Sequence, residues 1–441
     1  MTTVKGYLNN KQRYGKAYKK HLEFLKRFDT LSLDEKLSYQ REELQRFIKH
    51  SAENSLFYKN LYKDINISSI KTIKDLKKLP ILEKEALRKN IEALTVKTKK
   101  RKVTGYTGGT TGKSLSVVMT EEDLMKRMAT LDFFKLKSGF IHRKMKRATF
   151  NGKHIVPPKQ KKKIFWRYNA ACKQMIYSSF NLTEENMEFY VKSLNKFKPK
   201  AIDGFFSSMC DVANNIERHN IELEFKPIAI FPTSETLTEE GRELLEKVFG
   251  CKVYNQYASS EGAPFVYECQ NQKLHMDLSS GVFENLENSD EILVTSFTTY
   301  ATPLIRYRIG DRMIFDKESI CNCGNNSPIV KSIEGRKLDF LYNSEGAKIN
   351  AGNVSNILKY LPNAVIRSQF IQNTLEEITL FLEVDEKLYK SHYDSLIEKE
   401  FVQKFGNNTK LIIKHVEKIS REKSGKFRII KNNVGDHFNK I

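Results

Sequence analysis

A chain of 441 residues and 51.3 kDa, 40% of them hydrophobic, can bury a large core in two or more domains, which excludes a disulfide-stapled miniature and a wholly disordered polymer. No run of eighteen apolar residues occurs, and Met1-Thr2-Thr3-Val4-Lys5-Gly6 leads into charged sequence without a signal-peptide pattern, so the expectation is a soluble, cytoplasmic protein. Lys plus Arg outnumber Asp plus Glu by 75 to 53, a net charge of +22 that suits anionic company such as nucleotides, CoA, nucleic acid or an acidic membrane face, although lysine-rich solvated faces explain it as well.

Residues 8 to 95 carry helical periodicity. Ser32 and Glu35 have the spacing of a capping box, ahead of a run in which Leu37, Leu44, Phe47 and Ile48 recur on one face. Ser51 to Tyr58 and Leu79-Pro80-Ile81-Leu82-Glu83-Lys84 read locally as helix and turn. The basic run Lys97, Lys99, Lys100, Arg101 and Lys102 follows, and a second, Lys159, Lys161, Lys162 and Lys163, stands after Pro157-Pro158. Each fits a docking patch for CoA phosphates, a polyanion or a membrane surface, or simply a solvated loop. Neither carries aromatics at stacking intervals, so no nucleic-acid partner is expected.

Between the two runs lies Thr104-Gly105-Tyr106-Thr107-Gly108-Gly109-Thr110-Thr111-Gly112-Lys113-Ser114, followed by the β-branched Val117-Val118-Met119-Thr120. Glycines let backbone N–H groups approach a polyphosphate, threonine hydroxyls add donors, and Lys113 adds charge. It is not a Walker loop, because Thr107 stands where that pattern needs glycine. Taken alone, it also fits a glycine-rich surface hairpin.

From about 121 to 250, helical stretches alternate with short apolar runs, as in a layered α/β domain. Thr183-Glu184-Glu185 opens a helix toward Leu194, Ala201 to Ser208 reads as strand then turn, and Pro227 to Phe231 reads as a buried strand. Thr236 and Glu239 have capping-box spacing for a helix that stops at Gly250. Lys252-Val253-Tyr254 is a further short strand leading into Tyr257-Ala258-Ser259-Ser260-Glu261-Gly262, where a carboxylate beside hydroxyls suits Mg²⁺.

The six cysteines add a metal hypothesis. Cys269 with His275, and Cys321 with Cys323, form a Cys₃His set suited to structural zinc, with reduced, unmetallated thiols as the alternative; four protein ligands leave no open position. Cys172, Cys210 and Cys251 read as buried small hydrophobes. Glu291 to Ser296 is a strand by propensity. Arg306-Tyr307-Arg308-Ile309-Gly310-Asp311, then Gly335-Arg336 with Asp339, precede a tail with strands near Ile378 to Val384 and Lys410 to His415, a helix near Tyr389 to Phe405, and Ser424-Gly425-Lys426-Phe427-Arg428.

Five of these segments, in this order, resemble the core motifs of the adenylate-forming superfamily of acyl-CoA synthetases and adenylation domains, with the greatest likeness to the phenylacetate-CoA ligase branch, which includes capsular-polysaccharide proteins of the CapK type. The resemblance spans about Leu79 to Arg428. It implies an α/β fold with a layered adenylation domain at 1–335, helical over 1–95, and a small α+β lid at 336–441. It also implies ATP at Thr107, Gly108, Gly109, Thr110, Thr111, Gly112 and Lys113, with Ser234 and Glu235 bordering the adenine and Tyr257 packing on it. Ser260 belongs to the nucleotide-binding set, Glu261 holds Mg²⁺, Asp311 serves the ribose, Arg336 the ribose or phosphate, and Lys426 bridges carboxylate and α-phosphate. Similar Cys/His spacing occurs in that branch. Two departures stand out: Ala258 replaces the usual glycine, and Leu338 occupies a hinge position usually polar.

The implied activity is adenylation of a carboxylic acid, with release of pyrophosphate and transfer to CoA. A capsule-pathway enzyme serving a sugar or carrier is the alternative, and a polyanion-binding protein on an inactive ligase scaffold is the reading from another class. An acyl pocket is expected near Phe150 to His154 and Gly204 to Ser208, with Phe205 and Phe206 as an aromatic wall. A homodimer and peripheral membrane contact are further possibilities of that branch and of the charge.

Overall fold

The computed structural model describes residues 2–107, 115–152, 155–157, 162–316, 320–334, 340–358, 361, 364–419 and 429–434. Helices Thr2–Arg13, Lys16–Asp29, Leu33–Asn54 and Leu56–Leu61 form the first layer. The third begins where its sequence dictates: Ser32 accepts from the Glu35 N–H, and the Glu35 carboxylate accepts from the Ser32 N–H at 2.8 Å, a reciprocal capping box. Leu44, Phe47 and Ile48 on its inner face are buried in the largest hydrophobic cluster.

That cluster lies against a seven-stranded antiparallel sheet. Its order is Gly281–Asn285, Glu291–Ser296, Tyr307–Asp316, Ile329–Glu334, Leu274–Met276, Val266–Glu268 and Gln256–Tyr257. A six-stranded sheet holds the second cluster, in the order Trp166–Asn169, Gln174–Ser178, Arg147–Asn151, Ala201–Phe205, Ala229–Thr233 and Lys252–Val253. It is parallel apart from the antiparallel pairing of its first two strands. Helices Glu184–Phe197, Phe206–Arg218 and Glu239–Phe249 connect its parallel strands, the arrangement that buries both faces of such a sheet.

At the sheet's centre Asp203 is fully enclosed. Its carboxylate accepts from Lys135 Nζ at 2.8 Å, Arg147 Nη1 at 2.9 Å and Thr149 Oγ1 at 2.5 Å. Burial alone would raise its pKa, but the two cations and the hydrogen bonds prevail and hold it down at about 2.

A four-stranded sheet, Lys410–His415, Glu377–Val384, Val365–Gln372 and Ile430–Asn432, with helix His392–Phe405, builds the small C-terminal domain around its own core. The chain is thus a large α/β domain followed by a small α+β one. The expected boundary at 335/336 lies outside the described residues.

Several local readings need correction. The N-cap of helix Glu239–Phe249 is Thr238, which accepts from the Gly241 N–H at 3.2 Å; glycine stands at the third helical position, so no reciprocal box forms and Thr236 lies outside the helix. Ala201–Phe205 runs straight into helix Phe206–Arg218 without an intervening turn. Phe206 is buried in the core behind the sheet, so it is not a pocket wall. Cys172 is buried, whereas Cys210 and Cys251 are only half-buried.

Candidate active site

The predicted site residues come from different elements: Ser234 and Glu235 follow strand Ala229–Thr233, Tyr257 ends strand Gln256–Tyr257, Glu261 lies in the loop after it, and Asp311 lies within strand Tyr307–Asp316. Strand Ala229–Thr233 ends at Ser234, a non-glycine residue held at φ 68°, a costly left-handed conformation. Glu235 follows. Its carboxylate accepts from the backbone N–H of Ser207 at 2.7 Å, from the Ser207 hydroxyl at 3.0 Å and from Asn350 Nδ2. Burial raises the pKa of Glu235, the hydrogen bonds oppose this, and Asp211 nearby adds to the rise.

Gln256 ties the next strand to this corner by donating to Pro232 O at 3.2 Å. Tyr257 Oη donates to Asp311 Oδ2 at 2.8 Å, joining the predicted adenine-packing ring to the predicted ribose carboxylate across the seven-stranded sheet. The arginines preceding Asp311 are engaged elsewhere: Arg306 with Glu284 and Leu79 O, Arg308 with Glu291 and Glu83.

Glu261 is the buried carboxylate of the group. Its Oε1 accepts from Lys84 Nζ at 2.8 Å, and its Oε2 is buried without a hydrogen-bond partner among the described residues. Burial, then the charge of Glu261, pushes the phenol of Tyr307 well above its ordinary value. Arg127 clamps the loop carrying Glu261 from below, donating to Ser259 O at 3.1 Å, Ala263 O at 2.9 Å and Thr298 Oγ1 at 3.0 Å. Gly262 stands at φ 107°, where a Cβ would meet Thr299 Cγ2 at 2.5 Å, so only glycine fits.

The glycine-rich segment is a hairpin, Lys102–Thr107 against Leu115–Thr120, in register Thr107 to Leu115. Its base lies on the same loop: a Cβ on Gly105 would sit 3.7 Å from Ser260 O. Residues 108–114 lie outside the described residues, as do His154, Arg336, Asp339, Lys426 and Arg428. The hairpin base, Ser234, Glu235, Tyr257, Ser260, Glu261 and Asp311 are therefore brought into one region.

Lys84 and Arg127 were missed by sequence reasoning. Lys84 sits in a segment that is opened out by Leu82, whose backbone exchanges hydrogen bonds with Arg306 O at 3.1 Å and the Arg308 N–H at 3.0 Å. The C-terminal domain also reaches this corner, with Lys348 Nζ 3.7 Å from Asp211 and Asn353 packed against Gly152.

The ligand atoms of Cys269, His275, Cys321 and Cys323 all lie within 4.8 Å of one another. Cys269 follows strand Val266–Glu268, His275 lies in the antiparallel partner Leu274–Met276, and the Cys-x-Cys turn precedes strand Ile329–Glu334, which pairs with His275's strand. His275 Nδ1 is 3.0 Å from Ser327 O, so Nε2, 3.5 Å from Cys323 Sγ, faces the thiols. The donors, their convergence and the oriented imidazole fit a tetrahedral zinc.

A model of the CapK C-terminal domain matches residues 341–433. The chain is 37% identical over 438 residues to protein CapK of Staphylococcus aureus, covering 98% of this chain and 96% of that one. It is 24% identical over 215 residues to indoleacetate–lysine synthetase of Pseudomonas savastanoi, covering 45% of this chain and 49% of that one. Among solved structures, 2-hydroxyisobutyryl-CoA ligase in its postadenylation state superposes with a TM-score of 0.57 at 14% identity, covering 92% and 91% of the two chains. The fold is that of the adenylate-forming ligases of known structure, and the chain belongs to the CapK family.

Proposed function

We propose that the chain is an AMP-forming ligase that adenylates a carboxylic acid with ATP, releases pyrophosphate and passes the acyl group to an acceptor. The observation that carries this reading is the convergence of the glycine-hairpin base, Tyr257, Glu261 and Asp311 in one region. Carboxylate and triphosphate are both anions, so attack on the α-phosphorus needs positioning and neutralisation more than proton transfer. Loop residues 107–113 hold the polyphosphate through backbone N–H groups and Lys113. Tyr257 packs on the adenine bordered by Ser234 and Glu235, and Asp311 accepts from the ribose hydroxyls beside Arg336. Lys426, from a lid at 336–441 moving against a body at 1–335, places its ammonium between the carboxylate and the α-phosphate.

Glu261, with Oε2 unpartnered and Oε1 on a displaceable lysine, fits an oxygen ligand for Mg²⁺ on ATP. When bound, that ion neutralises the triphosphate. CoA is the first-choice acceptor. The likeness to a protein named for indoleacetate and lysine keeps an amine in view, and the CapK relationship keeps a capsular sugar or carrier in view.

The test is ATP–pyrophosphate exchange with Mg²⁺ across aryl, fatty, hydroxy and amino acids. Exchange with one class, lowered about 100-fold in Lys426→Ala, is the expected result. No exchange with any acid, together with no thermal stabilisation by ATP, would refute the reading.

The Cys/His cluster is proposed to hold one structural zinc. Purified protein is expected to contain about one zinc per chain, and a chelator or Cys323→Ser is expected to lower Tm by about 5–10 °C. Metal analysis with a melting curve checks this; metal-free protein with an unchanged Tm would leave the four residues as plain thiols and imidazole.

A further inference from the structure

Helix Thr2–Arg13 packs on the edge strand Trp166–Asn169, on the turn Ala170–Cys172 that follows it and on helix Glu121–Lys137. Thr3 Oγ1 donates to Tyr168 O at 3.2 Å, Asn10 Nδ2 donates to Ala171 O at 3.0 Å, and Gly6 lies so close to Asn169 that a Cβ would meet its Oδ1 at 2.1 Å. Another face carries Val4, Tyr7 and Leu8 at helical i, i+3, i+4 spacing, and these are 63%, 61% and 65% exposed. Lys5 and Lys11 are exposed beside them. Residues 1–22 contain Lys5, Lys11, Arg13, Lys16, Lys19 and Lys20 and no Asp or Glu.

A helix that buries its small and polar residues against the protein while presenting Val4, Tyr7 and Leu8 beside exposed lysines has the make-up of an interfacial element. We propose that this face docks the protein onto an anionic lipid surface, with Val4, Tyr7 and Leu8 entering the boundary between headgroups and acyl chains and the lysines meeting lipid phosphates. A second copy is the poorer occupant, because two such patches repel each other. A nucleic acid would satisfy the lysines but leave Val4 and Leu8 without apolar cover. This inference does not depend on the adenylating activity.

The experiment is co-sedimentation of the full chain with phosphatidylcholine vesicles, with and without phosphatidylglycerol. The unmodified chain is expected to bind only the anionic vesicles. Val4→Ser/Tyr7→Ser/Leu8→Ser is expected to weaken binding about 10-fold or more at an unchanged Tm. Lys5→Glu/Lys11→Glu, which leaves Val4, Tyr7 and Leu8 in place, is expected to weaken it at low salt and less so at high salt. Equal binding to neutral vesicles, or undiminished binding of the triple serine variant, would overturn the proposal; the latter would mean a general attraction to polyanions.

Discussion

Replacing Glu261 with glutamine is expected to lower ATP–pyrophosphate exchange about 1,000-fold while leaving the fold intact. The amide preserves the shape and one acceptor oxygen for Lys84 Nζ, now 2.8 Å from Oε1, and removes only the charge. Lys84 keeps 23% of its side chain exposed, so water can take over the solvation that the carboxylate supplied. The loop itself is fixed independently, by two hydrogen bonds from Arg127, to Ser259 O and Ala263 O. Stability therefore hardly depends on the charge that a bound nucleotide would need. Exchange assays with a melting curve separate the two, and exchange within about threefold of the unmodified chain would place the ATP site elsewhere.

Asp203→Asn is expected to act on stability instead, costing about 3–5 kcal/mol, since it strands Lys135 and Arg147 in the centre of the parallel sheet with no full counter-charge. The same carboxylate predicts an acid limb. Its native pKa, about 2, lies below the ordinary 3.8, so its contribution is present above pH 4 and is lost as pH falls from about 4 to 2. The shift corresponds to about 2–3 kcal/mol. Urea unfolding at pH 7 and at pH 3 checks both effects: the variant should lose most of its stability at pH 7 and show a weaker acid dependence. An unchanged midpoint would refute the assignment of Asp203 as the counter-charge that holds both cations.

What the sequence made legible is local or typed by chemistry. The Ser32 box and the strand Glu291–Ser296 follow from neighbouring residues alone, and both stand as read. The Cys₃His set could be picked out because thiolate and imidazole are rare donors and the sheet register then brings them together. Thr236 satisfies the box spacing before helix Glu239–Phe249, but it is the Thr238 side chain that accepts from the Gly241 N–H and caps the helix. Lys84 and Glu261 lie 177 residues apart, and Glu235 and Asn350 lie 115 apart, so no spacing rule could couple them. Such pairs are products of tertiary closure.

The helix Leu33–Asn54 has a consequence for the newborn chain. Several of its inward polar groups find partners far downstream: Lys36 on Asn325, Gln40 on Gly281 O, His50 on Tyr300 O, with Tyr58 just beyond on Pro303 O. These separations run from 241 to 289 residues. During synthesis the first helical layer therefore emerges long before the surface it covers exists. Its apolar stripe must wait, shielded by its own hairpin or by a chaperone, until more than half the chain has left the ribosome.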